Sequence, residues 1–168
     1  EFDNLIIDVL KKDKRTIEYP SLLLGKSNDF IRNNVIEYGR TNFDEVSMFA
    51  PNFTTIDKVN LYCFYNMRKH YFSSYSIFDS YKEEFFNQEI EQTSGRITFV
   101  DFGCGPLTSG LAFNQLFKNT VNYKLKYIGI DISNSMLIKA EEFSKTSLFD
   151  ENSNFNFVKS IKEVSTDL

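Results

Sequence analysis

Three short apolar runs, at residues 96–102, 124–131 and 154–159, alternate with two segments of helical spacing, and that alternation constrains the fold more than any other feature. The first run, Arg96-Ile97-Thr98-Phe99-Val100-Asp101-Phe102, suits a buried strand and ends in a glycine-containing turn, Gly103-Cys104-Gly105-Pro106. Thr108 and Ser109 are placed to cap the helix that follows, with Leu111, Ala112, Leu116 and Phe117 facing inward. A polar turn at 118–122 leads to the second strand. Ser133 or Asn134 then caps a helix with Met136, Leu137, Ala140 and Phe143 on its buried side, and the polar loop 150–153 leads to the third strand. Strand–helix–strand–helix–strand implies parallel strands joined by right-handed crossovers. The class expected is α/β, half of a doubly wound parallel sheet.

Before Gly95 the period is helical. Phe2, Leu5, Ile6, Val9 and Leu10 fall on one face, and the charged run 11–15 closes that segment. Residues 19–28 read as a loop turning at Gly25. Asn28 or Asp29 caps a second helix through Tyr38, and 41–53 reads as irregular. Thr54 or Thr55 caps a third helix to about His70, and a fourth runs from about Phe72 to Gln88 with Tyr71, Tyr75, Phe78 and Phe85 on one face. The division expected is a helical N-terminal region, 1–94, acting as a cap or lid, and a sheet-bearing region, 95–168.

Composition narrows the function classes. Apolar residues make up 42% and charged residues 25%, which excludes wholesale disorder. A net charge of −4 argues against holding nucleic acid by bulk electrostatics, although a local basic patch stays open. Two cysteines and one histidine build neither a disulfide framework nor a zinc cluster, and no metal site is expected. A reducing, cytoplasmic setting is the expectation. No apolar run approaches a membrane span, and no basic region leads into an apolar one at the N-terminus. The 18 Phe and 9 Tyr crowd residues 62–86, a density that belongs to a core or the wall of a cleft.

The candidate site lies where the first strand ends. It delivers Asp101 and then Gly103-Cys104-Gly105, where glycines allow unusual backbone angles and let a ligand approach without meeting a Cβ. The second strand ends in Asp131, and parallel neighbours end on the same side, so Asp131 is expected beside the turn. A carboxylate there suits two vicinal ribose hydroxyls. A pyrophosphate has no use for Asp101, whose charge repels it, and the third glycine of a dinucleotide fingerprint is missing, with Gly110 two residues late. Asp101 is better matched to a cationic ligand with an amino group, and S-adenosylmethionine offers a sulfonium, an amino group and a ribose.

Val100-Asp101-Phe102-Gly103-Cys104-Gly105-Pro106 resembles the first motif of the class I, Rossmann-like S-adenosylmethionine-dependent methyltransferases, and Tyr127-Ile128-Gly129-Ile130-Asp131-Ile132-Ser133, followed by Met136-Leu137, resembles the segment after it. The resemblance covers about residues 95–159. It implies strand order 3-2-1, with Asp101 holding the methionine amino group and Gly103, Cys104 and Gly105 passing under the ligand as backbone. It further implies that Asp131 chelates the ribose hydroxyls and that Ile132 and Met136 pack on the adenine. Three departures stand out. Leu107 occupies the place of a common third glycine, Ser160 stands where the third strand would end in a carboxylate, and the sequence stops at Leu168, before a fourth strand. The expectation is therefore a donor-binding portion, a fragment, whose first strand has an unpaired edge completed by a partner chain or a C-terminal half. Catalytic residues are not assigned and are expected beyond Leu168; the methyl acceptor, a small molecule or RNA, stays open.

Each residue also has a plainer reading. Asp101 would cap the glycine turn, Asp131 would cap the next helix, Met136 would be core, and Cys104 would contribute backbone rather than a thiol. His70 would be a surface or capping residue rather than a ligand contact. Tyr71 and Tyr75 would pack, or line the pocket. Two rival functions follow: a non-catalytic interaction or cofactor-sensing module, and a nicotinamide-dependent oxidoreductase.

Overall fold

The computed structural model describes residues 1–85, 96–119 and 123–164, and forms two compact units, Glu1–Arg68 and Lys69–Leu168. The boundary falls inside the region 1–94 that the sequence set apart as helical. The sequence expected the change at Gly95, which lies outside the described residues along with 86–88 of the expected fourth helix and 120–122 of the polar turn.

The first unit is helical. A π-helical turn, Asp3–Ile7, runs into α1 (Asp8–Lys12) and buries Ile6 and Leu10, while Val9 is 47% exposed. The charged run 11–15 does more than close that segment. Asp13 breaks it with an extended ψ of 136° and caps α2 (Lys14–Glu18) by accepting from the Arg15 N–H. The Arg15 guanidinium then bridges Asp13 and Asp57 and lies over the Phe53 ring. Ser27 caps α3 (Asn28–Asn34), not Asn28 or Asp29, and the helix stops well short of Tyr38. A 3-10 turn at Glu37–Gly39 follows, with Glu37 and Tyr38 at positive φ. Thr54 caps α4 (Thr55–Tyr62) in a reciprocal box with Asp57. The buried Lys58 on α4 donates to the Asn42 and Glu45 carbonyls and so fastens the irregular stretch that precedes it.

A π-helical turn at Cys63–Met67 leads into α5 (Arg68–Ser80), followed by α6 (Lys82–Phe85). The expected break between His70 and Phe72 is absent, since Arg68-Lys69-His70-Tyr71-Phe72 contains no helix breaker and its charges stay exposed on an unbroken helix.

In the second unit β1 (Arg96–Phe102), β2 (Lys124–Ile130) and β3 (Asn154–Val158) form an open, all-parallel sheet in the order β1-β2-β3, joined by α7 (Thr108–Phe117) and α8 (Asn134–Ser144). The mixed α/β class and the all-parallel sheet expected from the alternation are thus present. Asp101 pairs with Gly129 and Phe102 with Ile130, so β1 and β2 finish level. One sheet face carries a continuous aromatic layer. Phe99 stacks on Phe113 of α7 at 4.9 Å, Phe78 of α5 meets both edge-on, and Tyr127 follows with Phe155 and Phe157. The contacts of Phe78 tie α5 to the sheet. The other face holds a smaller apolar cluster, Ile128, Ile130 and Val158, with Val164 against it. On that face of β1, an edge strand among the described residues, Val100 and Phe102 stand 39% and 68% exposed. No described helix is long and apolar enough to cross a membrane.

Candidate functional site

The glycine turn is shaped by β2 rather than by its own strand. The Gly103 and Cys104 N–H groups both donate to the Ile130 carbonyl, at 2.7 and 3.1 Å, and the Gly105 N–H donates to Asp131 Oδ2 at 2.9 Å. Gly103 and Gly105 have φ of +73° and +52°, a region that glycine enters without strain. A Cβ built on either would meet no protein atom within 4 Å, so the turn presents bare backbone to open space.

Asp101 and Asp131 flank this turn on one rim, as the parallel register requires. Asp131 also accepts from the Ser133 N–H through Oδ1 at 2.9 Å, which ties the turn to the start of α8. It does not cap α8 as the plainer reading expected, because the N–H it meets belongs to the capping residue Ser133. A carboxylate has about four lone-pair directions, so two accepted N–H bonds leave capacity for hydroxyl donors. Ser133 caps α8 by accepting from the Met136 N–H.

Asp101 does not cap the turn, whose N–H groups are spent elsewhere. It accepts from the Tyr127 hydroxyl at 2.6 Å, and the Ser109 side chain of α7 also favours its charged form. Burial pushes the Asp101 carboxyl above its ordinary range; the Tyr127 bond and Ser109 pull it back, and the Asp131 charge adds to the rise. Cys104 is buried, its thiol pushed up by burial and by both acids. A thiol held neutral is a poor nucleophile, so Cys104 serves the turn as backbone and packing.

The helix after the turn starts differently from the expectation. Neither Thr108 nor Ser109 caps α7. Its N-cap is Leu107, at φ +72° and ψ +24°, with no side-chain cap. Leu107 thus takes the left-handed conformation that a glycine would adopt there, and its buried side chain fills the space under the helix. Gly110 compensates, because a Cβ on it would lie 2.6 Å from Leu107 Cδ1 and 2.7 Å from Tyr127 Cε2. The late glycine serves close helix–strand packing.

The remaining expected contacts divide. Ile132 is 86% exposed just past Asp131, whereas Met136 is only 4% exposed and lies in the core side of α8. Ser160 accepts from the Lys162 N–H and caps the 3-10 turn Ile161–Glu163. Tyr71 and Tyr75 stack on each other, with ring centroids 6.3 Å apart. His70 is exposed on α5. No group of His, Cys, Asp and Glu among the described residues is arranged to hold a metal ion.

Sequence reasoning gave Tyr127 no role at the site, and noted Leu107 only as the place of a missing glycine and Ser109 only as a cap candidate. The tyrosine lay inside the quoted motif, but period-two alternation predicts only that it faces the helices, not which oxygen its hydroxyl meets. Comparisons with protein families, curated proteins and solved structures yielded no match for this chain.

Proposed function

We propose that this chain is the donor-binding portion of an S-adenosylmethionine-dependent methyltransferase. The observation that carries the reading is the bare glycine turn between two carboxylates on one sheet rim, where added Cβ atoms would meet nothing. Such a turn suits a ligand lying against backbone, and the two acids suit a ligand with a cation at one end and vicinal hydroxyls farther along. An acidic rim opposes a pyrophosphate, which disfavours the nicotinamide reading.

In this reading Asp101 holds the α-amino group. Gly103 and Gly105 pass beneath the ligand, Asp131 accepts the ribose hydroxyls with its remaining lone pairs, and Ile132 covers one side of the adenine. Met136 supports that wall from below. Bound there, S-adenosylmethionine supplies an activated methyl group, and the contribution of the protein is alignment with exclusion of water.

The exposed Val100 and Phe102 on edge strand β1 favour a second reading, an interaction module that keeps the half-fold. Calorimetry separates the readings. S-adenosylhomocysteine is expected to bind, and NAD is expected to bind more weakly or not at all. Tighter binding of NAD would overturn the methyltransferase reading, and binding of neither would leave the interaction module.

A further inference from the structure

Tyr127 is fully buried in the middle of β2, among phenylalanines, yet carries a hydroxyl. Its ring is walled by Phe99, Phe155 and Phe157, with centroids 5.5, 5.9 and 6.0 Å away. Two glycines are fitted around it. A Cβ on Gly110 would come within 2.7 Å of Cε2, and one on Gly129 within 2.9 Å of Cε1. The ring therefore cannot swing, and its hydroxyl is aimed at one atom, Asp101 Oδ2, at 2.6 Å. A phenylalanine would fill the same space without burying a polar group. The hydroxyl is accounted for by the carboxylate above it.

We propose that Tyr127 is the positioning residue for Asp101, and that with Ser109 it sets the orientation and the pH range in which that carboxylate grips the α-amino group of the donor. This rests on the donor-binding reading above. An ammonium group binds the ionised carboxylate, whereas burial favours the neutral acid. The groups acting on Asp101 come from three elements: the Tyr127 hydroxyl from β2, Ser109 from α7, and the Asp131 charge from the rim after β2. The neighbouring Cys104 thiol is held neutral. The two hydroxyls act against burial and against Asp131, so they widen the range in which Asp101 stays charged. Tyr127 remains a neutral donor throughout, because burial and the Asp101 charge push its own ionisation well above the ordinary tyrosine range.

The test measures two quantities in the full chain: S-adenosylhomocysteine affinity by calorimetry across about pH 5 to 8, and the titration of the Asp101 carboxyl by carbon NMR in the ligand-free protein. Tyr127→Phe is expected to weaken binding about tenfold near neutrality, the loss of one hydrogen bond to a charged group. It also moves both the acid limb of the affinity profile and the carboxyl titration to higher pH. Ser109→Ala moves both in the same direction and keeps the test available should Tyr127→Phe not fold. Tyr123→Phe is the control, since it removes a buried hydroxyl that has no partner among the described residues, and should move neither. A Tyr127→Phe protein with the wild-type pH profile and an unmoved carboxyl titration overturns the proposal. If the wild type binds no S-adenosylhomocysteine while the carboxyl still shifts in Tyr127→Phe, the donor-binding reading has failed, and the role proposed for Tyr127 falls with it.

Discussion

Asp131 Oδ2 accepts the Gly105 N–H at 2.9 Å, so an acid just past the end of β2 closes the turn that follows β1. The same side chain holds the Ser133 N–H through its other oxygen. One carboxylate therefore joins the glycine turn to the start of α8 and still faces the rim. Structure and ligand binding are expected to fail together when it is removed.

Asp131→Ala leaves two backbone N–H groups without their acceptor and should cost about 1–3 kcal/mol of stability, read by urea denaturation. Affinity for S-adenosylhomocysteine should fall by about 1–3 kcal/mol as well. Asp131→Asn keeps one acceptor and should recover part of the stability. Wild-type stability in Asp131→Ala would mean that the Ile130 carbonyl closes the turn alone.

Leu107 supplies a second expectation, because its left-handed backbone and buried side chain pull in opposite directions. Both Leu107→Ala and Leu107→Gly lose the packing of the leucine, a loss of about 2–5 kcal/mol. Only glycine relieves the backbone strain, so Leu107→Gly should be more stable than Leu107→Ala by about 1 kcal/mol. Thermal melts that rank alanine above glycine would contradict the positive φ.

The glycines should also divide by what surrounds them. A Cβ on Gly129 would meet Phe157 Cδ1 at 2.8 Å and Cys104 Sγ at 2.9 Å, so Gly129→Ala overpacks the core at about 1–3 kcal/mol. Gly103→Ala meets no protein atom and should cost only backbone strain, roughly 1 kcal/mol, while weakening ligand binding. Denaturation together with calorimetry on both variants checks the pair. A Gly103→Ala protein with full ligand affinity would show that the open side of the turn is not where the ligand lies.

Asp101 gives a prediction with a definite sign in pH. Its folded-state pKa is raised above the ordinary 3.8, chiefly by burial, so the native state holds its proton more tightly than the unfolded chain does. Between the two pKa values stability falls as pH rises, and above the folded value the full penalty is in place. Asp101→Asn, which can still accept from Tyr127, should therefore melt higher than wild type at neutral pH. The gain should vanish below pH 3.8, where both states are protonated, and ligand binding should be lost throughout. A melting difference that is constant with pH would contradict a burial penalty on the charged acid.

Much of the sheet-bearing unit was legible without coordinates. The β1 limits coincide with the apolar run, and β2 and β3 each end one residue sooner than their runs. Period-two alternation and apolar helix faces are local signals. The helical unit was less legible because its breaks are set by single polar contacts. The Asp13 side chain accepting from Arg15 starts a helix where the charged run was expected only to close one, and α3 stops at Asn34, short of the left-handed Tyr38 to which periodicity carried it.

The sequence by itself determined that three parallel strands would be joined by two helices and that Asp101 and Asp131 would share a rim. That follows from strand-length apolar runs and from the handedness of the crossovers, both short-range constraints. Only the tertiary structure decided what each carboxylate holds. The Tyr127 hydroxyl meets Asp101, and the Gly105 amide meets Asp131, across 26 residues of chain in each case. Those partners are selected when the strands come into register and each buried polar group must find an acceptor or a donor nearby, a requirement no local pattern expresses.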